Sequence, residues 1–174
     1  MKNIFLTLLL AIACSLAAFA DSTKNRYSSR LTGEGICYFI RDMKLTKLEN
    51  IDKFIYDMTY VDWNDSITVN FTVLAESPVA PKELVLKGDT KSFTCTKIER
   101  FYVDITRKGY ELRLSSTFHK DEIKEIVFSK TPPVFCFKLG DIEATATYSK
   151  SAWRKDGKKL QSIITLIEAT HPKK

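Results

Sequence analysis

Few side chains in this chain are equipped for chemistry. It has two histidines, His119 and His171, and His119 opens the run His119-Lys-Asp121-Glu122, which sets an imidazole beside two carboxylates. That combination can supply a general base or a metal ligand, although four consecutive polar residues also describe an exposed turn. Asp57 and Asp104 stand at matching places in two similar segments, Lys53–Tyr60 and Arg100–Arg107. Two carboxyls held about 5–10 Å apart across a cleft would suit hydrolysis of a sugar, whereas an Asp in an alternating strand ordinarily faces away from the core. A Ser-His-Asp or Cys-His set would have to draw on His119, and no Gly-x-Ser-x-Gly turn is written. The glycines stand singly at turns, so no phosphate-cradling loop is present. Asp57, Asp104 and His119 are thus the weak candidates for a catalytic role. No cofactor is implied, and the composition points away from an enzyme.

The first residues concern destination rather than fold. Lys2, the apolar run Ile4–Ala13 and the small residues of Ala18-Phe-Ala20 describe a signal peptide over residues 1–20, cut before Asp21. The alternative reads Ala11-Ile-Ala-Cys14 as a lipobox that would anchor the chain through Cys14. Either reading sends the product out of the cytoplasm, to the periplasm or beyond, and no other stretch is long and apolar enough for a membrane span. About 154 residues would remain, suited to one domain over 36–174 behind a mobile arm at 21–35. Loss of Lys2 lowers the net charge of +6 by one, and the remaining charges are interspersed. Such a surface favours solubility and loose attraction to acidic partners. Nucleic acid is set aside because of export, although Lys97, Arg100, Tyr102, Arg107, Lys108 and Tyr110 interleave basic and aromatic groups.

Export also permits disulfides. Cys37, Cys95 and Cys136 are an odd set, so either one bridge forms or three thiols behave as small hydrophobes, with Cys95 turned to the core and Cys136 away from it. Their spacing from the histidines matches no zinc site. Asn64-Asp-Ser66 and Asn70-Phe-Thr72 match glycosylation acceptors.

These residues must be positioned by strands. Phe54–Trp63 and Ser66–Leu74 alternate apolar and polar residues around the turn Asn64-Asp65 and predict a hairpin. Glu83–Lys87 with Ser92–Lys97, Phe101–Thr106 with Tyr110–Ser116, and Val134–Leu139 with Ile142–Tyr148 predict three more. Ile36–Ile40 is a first strand, Lys44–Asp52 a helical turn or a loop, and Phe118–Lys124 a single helical turn before a strand Ile126–Phe128. Similar segments at 53–99 and 100–140 suggest an internal duplication in which Phe54 matches Phe101 and Leu84 matches Ile126. Ser151–Ala169 predicts an amphipathic helix, capped by Ser151, with Trp153, Gly157, Leu160, Ile164 and Ile167 on one stripe. The fold class expected is mainly β: an antiparallel sandwich or barrel of 8–10 short strands with that helix packed on it. The function expected is a non-catalytic exported module that binds a protein or a glycan. The alternatives are a carrier of small apolar ligands inside a barrel and a hydrolase using a carboxylate pair.

Overall fold

Alternation sets the principal strands. Lys53–Val61 buries Phe54, Tyr56, Met58 and Tyr60, and Ser66–Ala75 buries Ile67, Val69, Phe71 and Val73, each turning the intervening residues to the other face. The structure, a computed structural model, describes residues 25–170. The signal-peptide region, Cys14 and His171 lie outside them.

In chain order the elements are β1 (Tyr27–Leu31), β2 (Ile36–Lys44), β3 (Lys47–Glu49), β4 (Lys53–Val61), β5 (Ser66–Ala75), β6 (Leu84–Lys87), β7 (Ser92–Cys95), β8 (Ile98–Thr106), β9 (Gly109–His119), α1 (Lys120–Val127), β10 (Val134–Leu139), β11 (Ile142–Thr147) and α2 (Lys150–Thr170). The strands form two antiparallel sheets, a six-stranded one in the order β1-β2-β4-β5-β9-β8 and a five-stranded one in the order β3-β11-β10-β6-β7. Each sheet keeps two free edges, so the body is not a closed barrel. Their apolar faces meet through aromatic rings: Phe54 lies 5.0 Å from Phe135, Tyr56 4.8 Å from Phe135, and Phe71 6.2 Å from Phe137. Both helices pack at the end of this core that holds Met58 and Tyr60, where Ile123, Ile126 and Val127 of α1 meet Leu160, Ile163, Ile164 and Ile167 of α2 within one buried cluster. Each such side chain contributes about 1.5–3 kcal/mol by leaving water, so burial rather than helix propensity holds α2 in place.

The predicted hairpins are present. Asn64 Oδ1 accepts from the Ser66 N–H at 2.9 Å and closes the β4–β5 turn. In the β8–β9 turn Gly109 has φ +126°, and a Cβ there would stand 2.5 Å from the Ala75 carbonyl oxygen. Five expectations are corrected. Residues 27–31, placed in the mobile arm, form β1, because an edge strand needs a partner's backbone rather than an apolar pattern; Tyr27 adds a ring 6.2 Å from Tyr38. The 44–52 segment is neither helix nor loop throughout: Lys47–Glu49 pairs with β11 as β3. The stretch 120–127 is helical to its end, so Ile126 and Val127 belong to α1 and not to a strand. Ser149, not Ser151, caps α2, its hydroxyl accepting from the Ala152 N–H at 3.2 Å. The residue matches of the suggested duplication also fail. Leu84 is in a strand and Ile126 in a helix, while Phe54 is fully buried and Phe101 is 59% exposed. The duplication is left without residue-level support.

The three described cysteines are free. Cys95 is half-buried and directs its thiol to the Lys97 carbonyl. Cys136 lies on the face of the second sheet away from the core, as the alternation predicts, yet it is buried, and that burial raises its thiol pKa against the pull of Lys87.

Candidate functional site

The structure separates the residues first suspected of chemistry. His119 ends β9 and caps α1: its Nδ1 accepts from the Asp121 N–H at 3.3 Å, and the Glu122 carboxylate accepts from the His119 N–H at 2.9 Å. This is a reciprocal capping box, which accounts for the His-Lys-Asp-Glu run as a helix start. Nδ1 also lies 3.8 Å from Asp121 Oδ2, but a nitrogen that accepts from an N–H carries no proton to share with a carboxylate, so we read no ion pair there. Asp57 sits on the outer face of the six-stranded sheet. Its carboxylate takes a hydrogen bond from Asn70 at 2.7 Å and an ion pair from Arg113, which also donates to Thr72. Both of its oxygens are thereby engaged. Asp104 is exposed on β8, opposite Glu111. Two strands, β5 and β9, separate β4 from β8, which puts Asp57 and Asp104 about 14 Å apart or more, beyond any carboxylate pair spanning one glycosidic bond. The expected pairing is therefore corrected.

What the fold does assemble is a groove of about 550 Å³ between the α1–β10 loop and the first three turns of α2. Its loop wall runs from Phe128 to Pro132, and its helix wall carries Lys150, Trp153, Arg154, Gly157, Lys158 and Gln161. Local chemistry shapes each wall. Asp89, in the β6–β7 turn, accepts from the Lys130 N–H at 2.5 Å and the Thr131 N–H at 2.8 Å, and takes the Thr131 hydroxyl as well. Those bonds, the hydroxyl's foremost, hold its carboxyl below the usual pKa and pin the loop. Gln161 donates to the Val127 carbonyl at 2.9 Å and joins the helix to the start of that loop. Trp153 forms the floor, packed 5.2 Å from Tyr148 with its indole N–H 3.4 Å from the Ser129 carbonyl. Gly157 leaves room for that ring, since a Cβ there would meet Trp153 at 3.0 Å.

Electrostatics set this groove apart. Lys150, Arg154 and Lys158 recur every four residues and share one helix face, and Lys130 faces them from the loop. All four are exposed, and among the described residues no carboxylate lines the groove and none of the four makes an ion pair within 4 Å. The first turn of α2 carries no acid, so Lys150 stands against the positive end of the helix dipole without local compensation. Phe128, 49% exposed, supplies an apolar contact at the rim. A second cleft of about 310 Å³, at the end of the sheets near Asn50 and Leu74, is lined by charges of both signs, Asp52 and Glu76 against Lys108. It lacks the one-signed character of the groove.

Sequence reasoning missed this groove. The four-residue spacing of Lys150, Arg154 and Lys158 was readable in the residue order, but nothing there put Lys130 opposite them. Among the described residues no three His, Cys, Asp or Glu side chains converge as a metal site would require, and no helix is long and apolar enough to cross a membrane. No protein-family model, no curated protein and no solved structure matches the chain.

Proposed function

We propose that this chain is an exported, non-catalytic binding module, a two-layer β-sandwich whose groove beside α2 receives a partner bearing a line of negative groups, on a protein or a glycan. One observation carries the reading: Lys130, Lys150, Arg154 and Lys158 converge on a groove that contains no carboxylate. Cations crowded in this way repel one another and oppose the helix dipole, and a multivalent anion relieves both costs at once. Phe128 gives the same partner an apolar foothold. The interior favours this reading over a carrier. The core is filled by rings, and a pocket within it, beside Tyr56 and Phe135, holds only about 10 Å³. The hydrolase alternative has no assembled groups to call on, because Asp57, Asp104 and His119 stand apart.

The test is retention of the purified protein on immobilised polyglutamate, a sulfated polysaccharide and a neutral polysaccharide, with salt elution. Wild type is expected to elute late from one or both anionic matrices and to pass the neutral one, and the matrix that holds it identifies the partner class. Arg154→Glu/Lys158→Glu should elute at markedly lower salt, while Lys44→Glu/Lys138→Glu, an equal charge change at exposed sites elsewhere, should not. Equal losses in the two double variants would reduce the effect to net charge and sink the proposal, as would the absence of retention on either anionic matrix.

A further inference from the structure

We propose that the free edge of β8 pairs antiparallel with the same edge of a second copy, centred on Val103, giving a dimer in which two six-stranded sheets run on as one. β8 ends its sheet, and it displays Phe101 and Ile105, 59% and 85% exposed, beside the half-exposed Tyr102. Edge strands are usually guarded by charged side chains, proline or a bulge. The charges of β8 alternate in sign, with Glu99, Arg100, Asp104 and Arg107 along the strand and its turn, so they can pair with those of a second copy rather than repel them. A twofold axis at Val103 sets Phe101 opposite the partner's Ile105, and Ile105 opposite the partner's Phe101, covering both exposed apolar side chains. Just beyond the regular seam, at each end, Glu99 lies toward the partner's turn, which carries Arg107 of opposite charge. Glu99 holds Lys97 at 3.4 Å only at the surface and can exchange that contact.

The backbone agrees with this register. In an antiparallel ladder alternate residues direct their N–H and C=O groups to one neighbour. Thr106 closes the β8–β9 hairpin on Gly109, so Ile105 and Val103 direct theirs to the open edge. The irregularity between Arg100 and Tyr102 limits the regular part of the new ladder to Phe101–Ile105. So short a seam buries well under the roughly 1,200 Å² of a stable complex, and the dimer dissociates on dilution.

Sedimentation equilibrium across a concentration series tests the proposal. Wild type is expected to climb toward twice the mass of one chain, and Ile105→Lys, altered at an exposed position, to stay monomeric with an unchanged circular dichroism spectrum. In a Cys37→Ser/Cys95→Ser background, mild oxidation of Val103→Cys should join two chains through position 103, far faster than Thr117→Cys on β9. A monomer at every concentration, a dimer indifferent to Ile105→Lys, or equal cross-linking from both positions would overturn it.

Discussion

Tyr56 and Tyr148 offer a measurement in which the double change should cost less than either single one. Their hydroxyls lie 2.7 Å apart, both residues are buried, and burial drives both phenols well above their ordinary pKa. Replacing Tyr148 with Phe strands the Tyr56 hydroxyl, and replacing Tyr56 strands that of Tyr148. A buried polar group left unpaired costs about 1–3 kcal/mol, and water is a poor remedy because the adjoining pocket, about 10 Å³ and walled by Met58, Leu86, Phe135 and Trp153, is too small and too apolar. Each single variant should therefore lower Tm by roughly 2–12 °C. Tyr56→Phe/Tyr148→Phe keeps the rings, including the contacts of Tyr56 with Phe135 and of Tyr148 with Trp153, and removes both hydroxyls together. It should fall within about 1 kcal/mol of wild type, so the double-mutant cycle should return a coupling of at least about 1 kcal/mol. Denaturant unfolding of the four proteins measures this. A double variant as unstable as the two single losses combined would refute the reasoning, because the hydroxyls would then be acting independently.

Two further outcomes follow from the same core. Gly157→Ala should destabilise by about 1 kcal/mol: the roughly 1 kcal/mol gained in helix propensity is outweighed by a Cβ 3.0 Å from a Trp153 ring that Tyr148 and the Ser129 carbonyl hold in place. A higher Tm would show that the ring yields. Stability should also fall in alkali. Burial, then nearby carboxylates, push Tyr60 up to about 12, and Tyr56 and Tyr148 are raised as well, so the unfolded chain loses these protons first. Fewer protons on the unfolded state mean that stability is fully present below about pH 10 and declines by about 1.4 kcal/mol per unit for each such tyrosine until it ionises in the folded state. Urea titrations should show Tyr60→Phe flattening that slope between about pH 10 and 12, and an unchanged slope would contradict the assignment.

The β character, the hairpins and the stripe of α2 were legible in the residue order because each rests on near neighbours. Period-two alternation in β4 and β5, the Asn64-Asp65 turn and the spacing of Leu160, Ile164 and Ile167 need no knowledge of what lies opposite. β1 and β3 left no such mark, since a short strand at a sheet edge is held by a partner's N–H and C=O groups, which every residue carries. The helix α1 was under-read because Ile126, Val127 and Phe128 are β-formers by type, and only the core beneath them and the His119–Glu122 cap decide for a helix.

Sequence alone determined a mainly β body, with its turns and the face that its last helix buries, and it put forward the separate side chains with any chemistry in them. Tertiary structure alone decided how those side chains meet. It spent His119 on a cap and Asp57 on Arg113. It also brought Lys130, some twenty residues earlier in the chain, across from Lys150, Arg154 and Lys158. The physical reason is range. Alternation and capping act over two to four residues, whereas a groove with charge of one sign is made when the packing of a core closes two distant walls upon each other.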